Sequence, residues 1–245
     1  MHADPADQRR LLDLQQADTA LTQLTHRRTH LPEEAVITEL TGLVNTTTDN
    51  QARFEAAASD LDRDIARVER EIEQVRNRAD RDRARQDSGA AGAKELTSLA
   101  HELETLARRQ SELEDQQLEL MERREAVAEQ EAAEGKLLAE RRAELAEVTA
   151  ARDAAAASID AEAAAQRAAR DAIAADIPAD LVALYEKIRK TKPIAAAMLR
   201  QRRCESCRIE QSGAELAELR SAAPSDVMRC DNCRAILVRT GESGL

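Results

Sequence analysis

The sequence predicts a mainly α-helical fold, a long antiparallel coiled-coil hairpin followed by a small C-terminal metal-binding ribbon. Three observations carry this. The chain has 245 residues but one Phe, one Tyr and no Trp, with 34% charged and 42% apolar residues, a composition of long helices rather than of a compact α/β core. Apolar residues recur in alternating steps of three and four, interrupted at one glycine-containing stretch. The four cysteines fall in two CxxC pairs near the C-terminus. No stretch approaches the ~18 consecutive apolar residues of a membrane span, and MHADPADQRR lacks the apolar centre of a signal peptide. A soluble, cytoplasmic protein with no membrane partner is therefore expected, in a compartment that keeps thiols reduced.

The hairpin is expected over residues 1–177. Near its start, HLPEE places Pro32 where a helix interior cannot accept it but a first turn can, with Glu33 and Glu34 favouring that end of the dipole. A break near 30–32 follows, which leaves the preceding residues as a short separate helix packed on the alanine-rich segment 150–175. From Ile37 the seam runs through Leu40, Val44, Phe54, Ala58, Leu61, Ile65, Val68, Ile72, Val75 and Ala79, with Thr47 and Gln51 in phase but polar. The tip is DSGAAGA, near residues 87–93. Beyond it Leu96, Leu99, Leu103, Leu106, Leu113, Leu120 and Val127 resume the spacing, and Leu138, Leu145, Val148 and Ile159 extend it. A short loop between long helices makes an antiparallel hairpin. A turn centred near Gly89 pairs Ile65 with Leu113, Ile72 with Leu106 and Ala79 with Leu99; the register one heptad away pairs Ile72 with Leu113.

Residues 178–245 read as a connecting helix and a C4 zinc ribbon. IPADLVALYEKIRK offers Pro178 at a first turn and Leu181, Leu184 and Ile188 on one face. Cys204, Cys207, Cys230 and Cys233 have the spacing at which two tight turns each present two thiolates to one tetrahedral ion. One structural Zn²⁺ is the expected cofactor, iron being its main competitor, and four protein ligands leave no open position for catalysis. Ser212 to Glu215 has the form of a capping box opening a helix to about Ser221, and VMRC and RAILVR suit two strands. So few apolar residues cannot hold such a domain without metal.

Charge is uneven. Residues 178–245 hold 12 Lys and Arg against 9 Asp and Glu, a net +3, whereas residues 1–177 hold 24 against 38, a net −14. Four thiolates and one Zn²⁺ leave about −2 at the site, so some of Arg203, Arg208, Arg229 and Arg234 serve as counter-charge. A basic stripe, Lys187, Arg189, Lys190, Lys192, Arg200, Arg202 and Arg203, is the candidate contact for phosphates.

The hairpin, then IPADLVALYEKIR, then RRCESCRIE and RCDNCRAILVR, together resemble the bacterial C4-type zinc-ribbon proteins with an amino-terminal coiled-coil hairpin. The resemblance implies zinc on the four cysteines. It also implies a binding or chaperoning role, since some relatives are associated with an alternative sigma factor, with mRNA or with secretion components. The glycine-rich basic loop common before the first knuckle is replaced here by KTKPIAAAMLRQRR.

No phosphate loop, nucleophile elbow or HExxH is present, and His26 and His30, one helical turn apart, are the only histidine pair, so a non-enzymatic protein is expected. The leading expectation is a nucleic-acid-binding or regulatory factor acting through the basic head. Lacking aromatic residues beyond Tyr185, it would bind RNA or DNA weakly and without regard to sequence. The competing expectation is a coiled-coil adaptor whose tip or flank docks a transcription or secretion component.

Overall fold

The computed structural model describes all residues 1–245. The elements are α1 (Pro5–Thr29), α2 (Glu33–Asp87), α3 (Ala93–Ala175), α4 (Ala179–Arg189), β1 (Ala196–Arg200), β2 (Arg203–Cys204), α5 (Gly213–Ser221), β3 (Met228–Arg229) and β4 (Ile236–Val238). The chain divides into two compact units. One joins Met1–Glu34 to Ala150–Leu245, and the other is Ala35–Thr149. A boundary at residue 177 lies inside the first of these, because α1 packs both on the end of α3 and on the C-terminal sheet.

In the Ala35–Thr149 unit, α2 and α3 run antiparallel around a tip at residues 88–92, where Gly89 takes φ +67°. That left-handed conformation is open to glycine without a Cβ penalty. All the in-phase positions of α2 from Ile37 to Ala79 are buried or half-buried, as are those of α3 from Leu96 to Val148. The periodicity therefore identifies the true seam.

The register is the one a heptad away from the Gly89-centred pairing. Leu113 shares one buried cluster with Val68 and Ile72, flanked by Val75 and Leu120, so its neighbours lie three to seven residues further along α2 than Ile65. The tip contributes two residues of that offset, since the helices stop at Asp87 and resume at Ala93 and the loop is centred on Ala90 rather than on Gly89. Two ion pairs across the helices accord with this, Arg76 with Glu114 at 2.6 Å and Arg124 with Asp62 at 2.9 Å, while beside the tip Arg85 with Glu95 at 2.7 Å lies closer to the Gly89-centred pairing. Exposed as they are, such pairs specify register more than they stabilise.

The polar position Thr47 is fully buried. Its hydroxyl donates to the Leu43 carbonyl at 2.8 Å, and Arg141 of α3 donates to both Thr47 Oγ1 and the Leu43 carbonyl. What looks like a soft patch in the seam is thus a polar tie between the helices.

In the other unit, Pro32 does end the first helix: α1 stops at Thr29 and α2 starts at Glu33. Leu24 and Leu31 pack on Ala156, Ile159 and Ala163, the small-residue surface of α3. The other end of α1 has a second task. Leu11 and Leu14 are buried with Ile177, Leu181, Tyr185 and Ile188 of the α4 region, with Ala195 just before the sheet and with Ala196 and Ile236 in it.

The sheet has the order β2-β1-β4-β3. Met228↔Leu237 and Arg229↔Ile236 form the antiparallel ribbon expected on either side of the second knuckle. Strand β1 was not expected, since a run of alanines carries little strand propensity. It lies parallel to β4 through Ala196↔Ile236, Ala197↔Leu237 and Met198↔Val238, where alanine lets α1 approach the sheet closely. Met1 to Ala3 add to the same domain: Val227 N–H donates to the Met1 carbonyl, and His2 meets Asp226 at 2.7 Å.

Candidate metal centre

Two hairpin-like turns build the site. Each knuckle closes the same way. The amide of Arg208 donates to the Cys204 carbonyl at 2.7 Å, and the amide of Arg234 donates to the Cys230 carbonyl at 2.7 Å. The Cys204 amide donates to Ile209, and the Cys230 amide to Ala235. Such tight closure forces the residue after each CxxC into the left-handed region, with φ +60° at Arg208 and +66° at Arg234. Glycine is the residue that adopts this conformation without cost; arginine there is strained by about 1–2 kcal/mol. Strand β1 turns into β2 through Gln201 and Arg202, also at positive φ, whose amides donate to Glu242 and Ser243.

The knuckles face one another. Cys204 Sγ lies 3.8 Å from Cys233 Sγ, and Cys207 Sγ lies 3.8 Å from Cys230 Sγ. All four sulfurs fall within 4.8 Å of each other. A tetrahedron with Zn–S bonds of ~2.3 Å has edges of ~3.8 Å, so the donor set fits one structural Zn²⁺ in size as well as in chemistry. Cys204 and Cys230 are buried among Ala197, Leu199, Leu216, Leu219 and Leu237. Without metal, burial pushes the Cys204 and Cys207 thiols up, which opposes their ionisation; Zn²⁺ supplies the charge that reverses this.

Helix α5 braces the site. Its capping box is complete, with Ser212 Oγ accepting from the Glu215 amide and Glu215 from the Ser212 amide. At its far end Arg239 donates to five carbonyls, those of Leu219, Ala222, Ala223, Pro224 and Asp226. Leu219 and Ala222 close the helix and the other three lie on the turn after it, so one guanidinium ties the end of α5 to the segment that leads into β3.

The basic stripe divides. Arg189 pairs with Glu186 at 3.0 Å and Asp18 at 3.3 Å, Arg200 with Glu242 at 3.0 Å and Glu205 at 3.7 Å, and Arg203 with Glu210 at 3.4 Å. Arg202 donates to the Gly244 carbonyl at 3.2 Å. Lys187, Lys190 and Lys192 are exposed and have no carboxylate partner. Arg200, Arg203 and Arg208 line an open depression of about 610 Å³ beside Cys204. His26 and His30 stack at 4.1 Å and share no third metal-ligating group.

A buried polar network went unforeseen. Asp18 and Gln15 of α1 are almost wholly buried. Tyr185 donates to Asp18 Oδ2 at 2.7 Å, and Arg170 Nε donates to Asp18 Oδ1 at 3.1 Å while its other end reaches Glu186. Gln15 Oε1 accepts from the Ala195 amide at 2.7 Å, and its Nε2 donates to the Pro193 carbonyl. The network ties α1, α3 and α4 to the strand that leads into the first knuckle. In the sequence these are ordinary polar residues on a polar helix, with no spacing to mark them.

A long helical hairpin and a small sheet closed by four cysteines define the class: a coiled-coil protein with a C4 zinc ribbon. Comparison with known families agrees. Residues 14–193 match the CT398-like coiled coil hairpin domain and residues 203–237 the C4-type zinc ribbon domain. The chain belongs to the CT398-like coiled-coil hairpin family with a C4 zinc ribbon. An uncharacterized protein of Mycobacterium tuberculosis is 43% identical over 239 residues, covering 98% of both chains. A solved Mycobacterium smegmatis structure shares 42% identity at TM-score 0.87, covering 98% of this chain and 100% of that one. CT398 of Chlamydia trachomatis shares the fold at TM-score 0.67 and 15% identity, covering 96% and 98%. Neither matched family is a typical enzyme family, and no helix is long and apolar enough to cross a membrane.

Proposed function

We propose that this protein is a non-enzymatic adaptor whose coiled-coil hairpin docks a protein partner and whose zinc ribbon is a structural head. The observation that carries this is where the head's arginines go. Arg189, Arg200 and Arg203, which a phosphate backbone would need, are engaged with Asp18, Glu186, Glu205, Glu210 and Glu242. Tyr185, the one Phe, Tyr or Trp ring in residues 178–245, is fully buried. The hairpin, by contrast, keeps large apolar side chains in solvent, with Leu118 59% and Met121 49% exposed, more than a self-sufficient two-helix coil needs.

A second reading, weak sequence-independent binding of RNA or DNA, draws on Lys187, Lys190, Lys192 and Arg208, whose charges face solvent without carboxylate partners. Photo-crosslinking residues placed singly in the full chain separate the two. Discrete protein adducts from Phe54, Leu96 or Met121 support the adaptor. Adducts only from Lys192 or Arg208, removed by nuclease, overturn it.

A further inference from the structure

The flank of the hairpin carries a groove that borders the seam at Ile65 and that the zinc head does not use. It is an open surface cleft of about 550 Å³, lined on α2 by Ile65 and Glu69 and on α3 by Leu118, Met121, Glu122, Arg124, Glu125 and Ala128. Its floor is apolar: Leu118 and Met121 are the two most exposed large apolar side chains of the hairpin, at 59% and 49%. They stand one turn apart on α3, where a helix presents i and i+3 side chains to the same neighbour.

The charges of the rim that lack an ionic partner are all negative. Glu122 and Glu125 form no ion pair, and Glu69 takes only the neutral Gln117 amide at 3.1 Å. Arg124, the one cation in the lining, is already held by Asp62 at 2.9 Å. The imbalance extends along α3, where residues 112–134 hold nine carboxylates, Glu112 to Glu134, against Arg123 and Arg124.

We infer that this groove is the docking site for a basic amphipathic helix of a partner protein, one that lays apolar side chains over Leu118 and Met121 and sets Lys or Arg against Glu69, Glu122 and Glu125. This rests on the adaptor reading and names the chemistry of its partner. Charge complementarity selects the occupant. Nucleic acid and anionic lipid are repelled by the same carboxylates. A second copy fails on two counts. Its hairpin, residues 35–149, has 17 Lys and Arg against 27 Asp and Glu, a net −10, and the apolar residues of its basic stripe, Ile188 and Leu199, are buried in the zinc-bearing unit. A helix, rather than a strand, fits because the groove lies between two helices and offers side chains, not a backbone edge.

The test uses the full-length zinc-loaded protein and a fluorescent 18-residue Leu/Lys amphipathic peptide as the probe, read by anisotropy. Two comparison probes are a Leu/Glu peptide of the same apolar pattern and a peptide with the same lysines but serine for leucine. The expected result is binding of the Leu/Lys peptide alone, weakened at least tenfold by Leu118→Ser with Met121→Ser, and weakened with a flatter salt dependence by Glu122→Gln with Glu125→Gln. Both pairs are exposed, so circular dichroism should be unchanged. The assignment is overturned if the Ser/Lys peptide binds as well as the Leu/Lys peptide, if Leu118→Ser with Met121→Ser binds as wild type, or if nothing binds. Failure here is distinguishable from failure of the adaptor reading: crosslinks from Phe54 or Leu96 that persist in the Leu118→Ser, Met121→Ser chain would sink the groove and leave the adaptor standing.

Discussion

Tyr185 is the only tyrosine in a chain without tryptophan, so the near-ultraviolet phenolate band reports the ionisation of one side chain. That side chain is fully buried and donates to Asp18 Oδ2 at 2.7 Å. Burial first, and then the bond to a carboxylate that a phenolate could not make, push its pKa well above the ordinary value of 10.0. The sign of the pH dependence follows. The unfolded chain releases this proton near pH ~10 while the folded chain keeps it, so the phenol's contribution is fully present below that pH and is lost as pH rises, at about 1.4 kcal/mol per pH unit. Tyr185→Phe leaves Asp18 short of a donor and costs about 1.5–3 kcal/mol at neutral pH, the range for a hydrogen bond to a charged group. The gap between wild type and variant then narrows above pH ~10 with the same slope. Urea unfolding of both proteins across alkaline pH measures the gap, and absorbance beside far-ultraviolet circular dichroism follows the phenolate. The phenolate should appear only together with unfolding. A reversible phenolate near pH ~10 with unchanged helix content would show that the hydroxyl is not held on Asp18, and the clamp between α1 and α4 would fall with it.

Two further outcomes concern the zinc head. Chelation removes a binding free energy of about 10–16 kcal/mol from a cluster that is mostly Ala197, Leu199, Leu216, Leu219 and Leu237 around the cysteines, so amides of residues 203–221 and 229–235 should lose exchange protection. The hairpin amides should keep theirs, and so should Tyr185 and Ile188, which pack on α1 rather than on the metal; equal protection with and without metal would refute the structural role. Arg208→Gly and Arg234→Gly each relieve a left-handed arginine, worth about 1–2 kcal/mol, less about 0.5–1 kcal/mol for glycine's greater freedom when unfolded. Slower metal loss to a competing chelator is the expected result, and faster loss would mean that the arginine side chain contributes more than its backbone costs.

The parts visible in the sequence are those that repeat. A seam position recurs every three or four residues, so a dozen positions on α2 vote for one face, and each proved buried or half-buried. The cysteine spacing is similarly redundant, since two identical motifs must meet one ion. Register is ambiguous in the sequence because a heptad repeat looks the same one heptad away; the packing of Leu113 against Val68 and Ile72 breaks the tie. Strand β1 and the Gln15–Asp18–Tyr185–Arg170 network were hidden for the opposite reason. Each depends on single residues meeting across as many as 180 positions of sequence, as Gln15 meets Ala195, and nothing local distinguishes that glutamine from Gln16 beside it.

Counting charges also proved a poor guide to which of them face a partner. Residues 178–245 carry an excess of three cations, but Arg189, Arg200, Arg203 and Arg234 face carboxylates, and Arg239 is spent on five carbonyls. Four thiolates on one zinc then leave about −2 beside Arg208. In the hairpin the balance runs the other way: residues 35–149 have ten more carboxylates than cations, so even if every arginine and lysine there were paired, carboxylates would remain over. Exposed pairs contribute little to stability, and a carboxylate left without a partner contributes less. The long-range effect of these surplus carboxylates is to attract cationic groups and repel polyanions, and Glu122 and Glu125 stand without ion pairs beside the exposed Leu118 and Met121.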